Sequence, residues 1–271
     1  VDSKGVDERT VALLAERGIT AFTPVQTASY DPILAGRDII ARSRTGTGKT
    51  IAFGLPVIQR LAREDREAHE AAGGAPGSVI RRASGRGPRM LIICPTRELA
   101  RQVSEELVLL ARPHGLAVDC FHGGVAYGPQ EGALRRGLDV LVATPGRVID
   151  HLERGSLRVA GVRHAVLDEA DEMLNMGFAD DIERVFGFVD IPKCQVMLFS
   201  ATVPDWVRRI SAKYLKDALS IDAVGNDHNQ LATTVKHVAI GVPSRERAHM
   251  LEDVITVFGG GSRAMVFAQR K

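Results

Sequence analysis

The residues with the clearest chemical purpose stand eight in a row, Ser43-Arg44-Thr45-Gly46-Thr47-Gly48-Lys49-Thr50, between a short apolar run and an apolar helix pattern. The glycines let backbone N–H groups turn inward as a nest for an anion, and the helix start adds its partial positive charge. Lys49 is placed to reach the β- and γ-phosphates of a bound polyphosphate, and Thr50 offers a hydroxyl to Mg²⁺. Ser43 stands where such loops usually carry their first glycine. The competing reading is a purely structural glycine turn. Further on, the apolar run at 165–167 ends in Asp168-Glu169-Ala170-Asp171, which delivers two adjacent carboxylates to the end of a strand. A lone Asp there also serves as a helix cap. With a phosphate loop in the same chain, Asp168 is expected to hold the metal that Thr50 shares, and Glu169 to orient or deprotonate an attacking water.

Such groups need a scaffold that brings distant segments to one edge. Short apolar runs at 38–41, 90–94, 118–121, 139–143, 165–167, 196–199 and 219–221 alternate with longer amphipathic stretches. That is the pattern of βαβ units, so the expected fold class is α/β with a parallel sheet. Helix starts are marked by Thr23-Pro24 before 25–35 and by Thr202-Val203-Pro204 before 205–215, and Gly18 and Gly36 mark helix stops. Five of the strands end in polar tails: the phosphate loop, Pro95-Thr96-Arg97-Glu98, Thr144-Pro145-Gly146-Arg147, the acidic tetrad, and Ser200-Ala201-Thr202. Ligands of open α/β sheets bind outside the carboxyl ends of the strands, so one edge of the sheet is expected to do the work.

The chain has 271 residues, 45% hydrophobic and 25% charged, which excludes collagen-like, wholly disordered and disulfide-scaffold classes. No apolar run approaches the ~18 residues of a membrane span. A net charge of +2 means that any basic surface must be local. Cys94, Cys120 and Cys194 are odd in number and widely spaced, which fits a reducing compartment and indicates no zinc site. The start, VDSKGVDERT, has no initiator Met and no apolar signal segment, so the sequence reads as a trimmed or processed product. Two segments break the alternation. Residues 62–88 read as a solvated loop, or else a basic arm, with Arg81, Arg82 and Arg86 gathered without an acid; residues 223–234 read as a linker. After that linker come an expected strand at 235–240, a helix at 245–258 and a strand at 264–267, too little to cover its own faces and so the start of a second α/β domain.

Over nearly the whole chain, and in the same order, these motifs resemble those of the DEAD-box RNA helicases, whose name the tetrad spells. The resemblance implies a RecA-like parallel sheet with helices on both faces over 1–222, then a truncated second RecA-like domain over 235–271. It implies an ATP-dependent RNA helicase with ATP and Mg²⁺ as cofactors. Gly18-Ile19-Thr20-Ala21-Phe22-Thr23-Pro24-Val25-Gln26 is similar to the family's Q motif, which places Gln26 on the adenine edge and Phe22, where Pro is common, beside it. The nucleotide would be held by Phe22, Gln26, Arg44, Thr45, Gly46, Thr47, Gly48, Lys49 and Thr50, with Lys49, Asp168 and Glu169 catalytic and Thr50 and Asp168 on the metal. Pro95, Thr96, Arg97, Gly123, Gly124, Thr144, Pro145, Gly146 and Arg147 resemble the RNA-contacting motifs, and Asp171, Ser200 and Thr202 the group coupling ATP state to RNA opening. Hydroxyls, a guanidinium and glycine N–H groups suit phosphate and sugar oxygens rather than base edges; the resemblance implies an RNA partner, single-stranded or a short duplex, bound largely without regard to sequence.

Further similarity at 172–178 and 204–207 points to the branch holding nucleolar Gu-type and plant organellar members. It implies an intracellular, monomeric protein with no membrane, in a chloroplast or mitochondrion, or alternatively the nucleolus, and places the arginine fingers beyond Lys271. A non-catalytic ATP- and RNA-binding clamp or scaffold and a DNA-directed or non-nucleic-acid phosphate-loop ATPase are the rival functions. His122, Cys94, Trp206 and Phe178 read as edge or core residues.

Overall fold

A computed structural model describes residues 4–78, 80, 82–224, 236 and 238–268. The chain divides into two compact units, Val1–Asn226 and Asp227–Lys271. In chain order the first holds α1 (Glu8–Glu16), α2 (Pro24–Leu34), β1 (Ile39–Arg42), α3 (Lys49–Ala71), β2 (Met90–Ile93), α4 (Arg97–Ala111), β3 (Val118–Phe121) and α5 (Tyr127–Arg136). It continues with β4 (Val140–Ala143), α6 (Pro145–Glu153), β5 (His164–Asp168), α7 (Ala170–Asn175), α8 (Ala179–Phe186), β6 (Gln195–Ser200), α9 (Asp205–Tyr214) and β7 (Leu219–Asp222).

The seven strands form one sheet in the order β3-β4-β2-β5-β6-β1-β7, every neighbouring pair parallel. Side chains alternate between two cores. On β4, Val140 and Val142 enter one cluster with α2, α3 and α4, whereas Leu141 and Ala143 enter another with α6, α8 and α9. Both sheet faces are therefore covered by helices, which is why the strands read as unbroken apolar runs. All seven expected strands are present, with no end shifted by more than one residue. β1 starts after Asp38 because that buried carboxylate turns aside, accepting from Val196 N at 2.9 Å and Lys216 N at 2.7 Å.

Pro56 lies inside α3, where its missing N–H deprives the Ala52 carbonyl of a helical donor. Ser29 Oγ of α2 donates to that carbonyl at 3.4 Å. The segment 62–88 departs from the expected loop, because α3 stays helical as far as Ala71 and buries Ala62. Its arginines do have acids. Arg82 donates to buried Asp139 at 3.1 Å, Arg86 donates to Asp139 and, at 3.3 Å, to Asp65, and Arg89 donates to both. Arg81 lies outside the described residues.

The second unit contains α10 (Arg247–Phe258), preceded by a 3₁₀ turn at Ser244–Glu246. The strands expected at 235–240 and 264–267 are not formed among the described residues; Val235, His237 and most of 223–234 lie outside them. Short parallel strands need a covered sheet around them, and here Val238, Val257, Phe258, Met265 and Phe267 are exposed. Among the described residues no helix is long and apolar enough to cross a membrane.

Candidate active site

Sheet order divides the carboxyl edge into two halves. The phosphate loop, the Ser200 tail and the acidic tetrad leave the adjacent strands β1, β6 and β5, while Pro95–Glu98, Gly123-Gly124 and Thr144–Arg147 leave β2, β3 and β4 at the other end.

In the first half the loop is tied to the sheet by Ser43 N donating to Ser200 O at 2.9 Å. Ser43 Oγ and Thr47 Oγ1 are hydrogen bonded, and Thr47 Oγ1 lies 2.8 Å from the Arg44 carbonyl. Ser43 has no positive φ, so a glycine is not required there, and its hydroxyl braces the loop. Gly48 caps α3 at φ 82°, and a Cβ on it would lie 2.3 Å from Gln26 Nε2. Gly46, at φ 81°, supplies the other left-handed turn.

Lys49 and Asp168 are 7% and 2% exposed. Lys49 Nζ lies 3.8 Å from Asp168 Oδ1 and 4.0 Å from Glu169 Oε1, and neither Nζ nor Asp168 Oδ1 has a hydrogen-bond partner. Buried polar groups left this way are costly unless a ligand completes them. A phosphate oxygen suits the amine and a divalent cation the carboxylate, so the residues fit Mg²⁺ with a nucleotide. Burial pushes the Asp168 carboxyl up to about 6, with Lys49 opposing and Glu169 reinforcing the rise. Thr50 sits half-buried on the first turn of α3. Among the described residues no cluster of three or more His, Cys, Asp or Glu forms a metal cage, and Mg²⁺ typically uses only one or two carboxylates with substrate oxygens.

Glu169 is held at φ 56°, ψ 52° where strand turns into helix, a left-handed conformation costly for a non-glycine residue. Its carboxylate accepts from Thr45 Oγ1 at 3.4 Å. Asp171 accepts at one oxygen from Thr202 N at 2.9 Å and Thr202 Oγ1 at 2.8 Å, and its own N–H donates to Ser200 Oγ at 3.1 Å. Burial alone would raise the Asp171 carboxyl, but the bonds from Thr202 and Ser200 outweigh it and hold it below its ordinary range.

Gln26 is 3% exposed and packed against the loop. Its Oε1 accepts from Thr23 N at 2.9 Å and its Nε2 donates to Gly48 O at 3.0 Å, so both ends of the amide are engaged. Thr23, which the sequence marks only as a helix start, also donates from its hydroxyl to Thr47 O at 2.8 Å. The signal for it is the Thr-x-x-Gln capping pattern. Phe22 is half-buried, its ring 5.6 Å from that of Tyr30.

In the second half, Pro95, Thr96, Arg97, Gly123, Thr144, Gly146 and Arg147 line one groove with Met176 and Phe178. Two helices begin there, α4 capped by Thr96, which accepts from Leu99 N at 3.2 Å, and α6 preceded by Thr144. Helix starts offer unpaired N–H groups to anions. Pro145 is buried at the start of α6, away from the groove lining, and Gly124 lies beneath Arg97: a Cβ on it would be 2.7 Å from Arg97 Nη1. Arg147 touches the groove but is only 7% exposed. Trp206 is buried in the second core, as is Cys94 in the first.

Residues 23–210 match the sequence profile of the DEAD/DEAH box helicases. The chain is 44% identical over 267 residues to DEAD-box ATP-dependent RNA helicase 3B, chloroplastic, of Zea mays, covering 98% of this chain and 34% of that protein. It is 40% identical over 274 residues to Nucleolar RNA helicase 2 of Rattus norvegicus, covering 98% of this chain and 33% of that one. The chain thus spans about a third of the length of these curated relatives. Among solved structures it is similar to a DEAD box protein from the hyperthermophile Methanococcus jannaschii, with TM-score 0.69 and 30% identity over 92% of this chain and 61% of that one.

Proposed function

The chain belongs to the DEAD/DEAH box helicase family, and on that footing we propose that it carries the ATP-binding half of an RNA-dependent ATPase that opens short duplexes. Its sheet is RecA-like, as in its structural neighbours. Residues 1–222 are the ATP-binding domain, 223–234 a linker, and 235–271 the beginning of a second RecA-like domain. The observation that carries the reading is the buried pair Lys49 Nζ and Asp168 Oδ1, 3.8 Å apart with no hydrogen-bond partner on either atom.

ATP lies across the phosphate loop, with its adenine toward Gln26 and Phe22 and its phosphates on the backbone N–H groups of Arg44 to Thr50. Lys49 binds the β- and γ-phosphates, and Thr50 and Asp168 hold Mg²⁺. An ion held by Thr50 and Asp168 would supply positive charge against the negative charge that develops on the phosphate oxygens. Glu169 orients the attacking water and accepts its proton, and its strained backbone aims the carboxylate across the loop mouth. Gln26 keeps one Oε1 lone pair and one Nε2 hydrogen beyond its bonds to Thr23 and Gly48, and these meet the adenine edge, so nucleotide binding is coupled to loop geometry.

Single-stranded RNA lies in the groove along α4 and α6, its phosphates and sugars met by Pro95, Thr96, Arg97, Gly123, Thr144 and Gly146, with Arg147 at the wall and Gly124 and Pro145 shaping the surface from behind. Asp171, Ser200 and Thr202, which join the tail of β6 to the acidic tetrad within the first half of the edge, couple ATP state to RNA opening. The protein acts as a monomer, away from membranes. We place it inside the cell, in a chloroplast or mitochondrion or else the nucleolus; the maize relative's name supports the chloroplast and the rat relative's the nucleolus.

Fluorescent ATP titrated into the chain with and without Mg²⁺ tests this. Weak, Mg²⁺-strengthened binding that is lost in Lys49→Ala is expected, together with little RNA-stimulated turnover by these 271 residues alone. Binding indifferent to Mg²⁺ and to Lys49 contradicts the reading.

A further inference from the structure

We propose that Arg147 serves the groove as a positioning residue, bracing the Gly123-Gly124 turn from within so that the turn can seat Arg97, rather than as a phosphate ligand. This rests on reading the groove as an RNA site.

The turn is held at both ends from the protein interior. Arg147 Nη1 donates to the carbonyl of Val125, just after the turn, at 2.9 Å. Gln130 Nε2 donates to the carbonyl of His122, just before it, at 3.4 Å. These two side chains are themselves joined, Arg147 Nη1 donating to Gln130 Oε1 at 2.9 Å. Gln130 is 4% exposed and does not line the groove. The bracket is fixed in turn by α6 and α5: His151 Nε2 lies 2.8 Å from Gln130 Oε1, and Arg147 Cζ lies 4.3 Å from the centre of the Tyr127 ring, whose hydroxyl donates to Asp150 at 2.9 Å.

On the outer side the turn carries Arg97. Gly124 has φ 81°, and a Cβ there would lie 2.7 Å from Arg97 Nη1, with Gly123 leaving 3.3 Å to Nη2. The exposed guanidinium therefore rests on a surface whose shape is set by the two carbonyls held beneath it. Swinging Arg147 out to a phosphate would strip Val125 O and Gln130 Oε1 of a charged donor and lift a cation off an aromatic face. Arg97 gives up none of these contacts by meeting a phosphate where it already lies.

The two roles separate experimentally. A phosphate ligand tolerates lysine as a point charge and gains freedom when its internal acceptor is removed, whereas a brace needs the planar fork and its partner. In the full-length protein, affinity for a fluorescein-labelled single-stranded oligouridylate is measured for wild type, Arg147→Lys, Gln130→Met and Arg97→Ala, and for Arg147→Lys and Gln130→Met each combined with Arg97→Ala. Nucleotide affinity without RNA is the control. The expected result is that Gln130→Met and Arg147→Lys each weaken RNA binding about fivefold or more, leave nucleotide affinity unchanged, and add less than about twofold once Arg97 is gone. Gln130→Met keeps the test open should Arg147→Lys fold poorly. Near-wild-type RNA affinity in both variants, full additivity with Arg97→Ala, or a parallel loss of nucleotide binding overturns the brace. A wild-type protein that binds no RNA refutes the RNA reading of the groove, and the proposal with it.

Discussion

Thr202 donates twice to a single oxygen of Asp171, from its backbone N–H at 2.9 Å and its hydroxyl at 2.8 Å. The pair joins the tail of β6 to the acidic tetrad after β5. Ser43 N, bonded to Ser200 O at 2.9 Å, joins that same tail to the phosphate loop after β1. Hydrogen bonds thus run through adjacent strand ends from the phosphate loop to the segment that carries Asp171.

Replacing Thr202 with Val removes one charge-assisted donor while keeping the backbone one. A loss of about 1–2 kcal/mol in urea unfolding at pH 7 is expected. Because the folded carboxyl lies below its ordinary range, this stabilisation is present above about pH 4 and fades as acid protonates the group. A loss equally large at pH 3 contradicts the assignment.

Lys49→Ala leaves Asp168 buried without its cation and removes the phosphate contact, so nucleotide affinity falls by about a hundredfold or more. Glu169→Gln is expected to keep ATP and Mg²⁺ binding but to lower turnover by about a hundredfold or more. Equilibrium titration beside single-turnover hydrolysis separates the two, and loss of binding in Glu169→Gln would falsify its role as the group that handles water.

Gln26→Ala removes the amide that bridges Thr23 N and Gly48 O. Preference for ATP over GTP should erode by about tenfold, the worth of a lost base-edge contact, and ATP affinity should also drop as the loop loosens. Competition binding with both nucleotides reads this out, and an unchanged preference rules out the adenine role.

His164 is 2% exposed at the start of β5, with Nδ1 2.8 Å from Gln195 Oε1. Burial lowers it from its ordinary value to about 4, against the opposing bond to Gln195. Since the folded state disfavours the charged ring, its contribution is intact above the unfolded pKa near 6.5 and is lost as pH falls toward 4. From pH 7.5 to pH 5 this costs about 2 kcal/mol. In His164→Gln that share of the acid sensitivity should vanish from urea unfolding curves, and an unchanged sensitivity would place it elsewhere.

The sheet was legible because each strand is buried on both faces and so reads as a short Val/Ile/Leu run, and because polar tails follow five of them. The places of Asp168 and Glu169 at the end of β5 were legible for the same reason, and those of Lys49 and Thr50 from the glycine-rich loop that follows β1 and opens α3. What sequence concealed are pairings between segments far apart along the chain. Asp139 neutralises arginines of 62–88 from another strand's start, and Gln26 turns onto Gly48. Arg147, grouped by motif with exposed ligands, has its guanidinium drawn inward by Gln130 and Val125. Among the described residues of 235–240 and 264–267 no strand forms, for a related reason: local β propensity does not form a parallel strand without neighbours.

The most direct test of the account is steady-state ATPase of the full-length protein with and without single-stranded RNA, beside the same protein carrying Glu169→Gln. The account predicts turnover stimulated by RNA in the wild type and abolished in the variant. RNA and nucleotide binding without turnover in either protein would contradict it and make the chain an ATP-responsive RNA clamp.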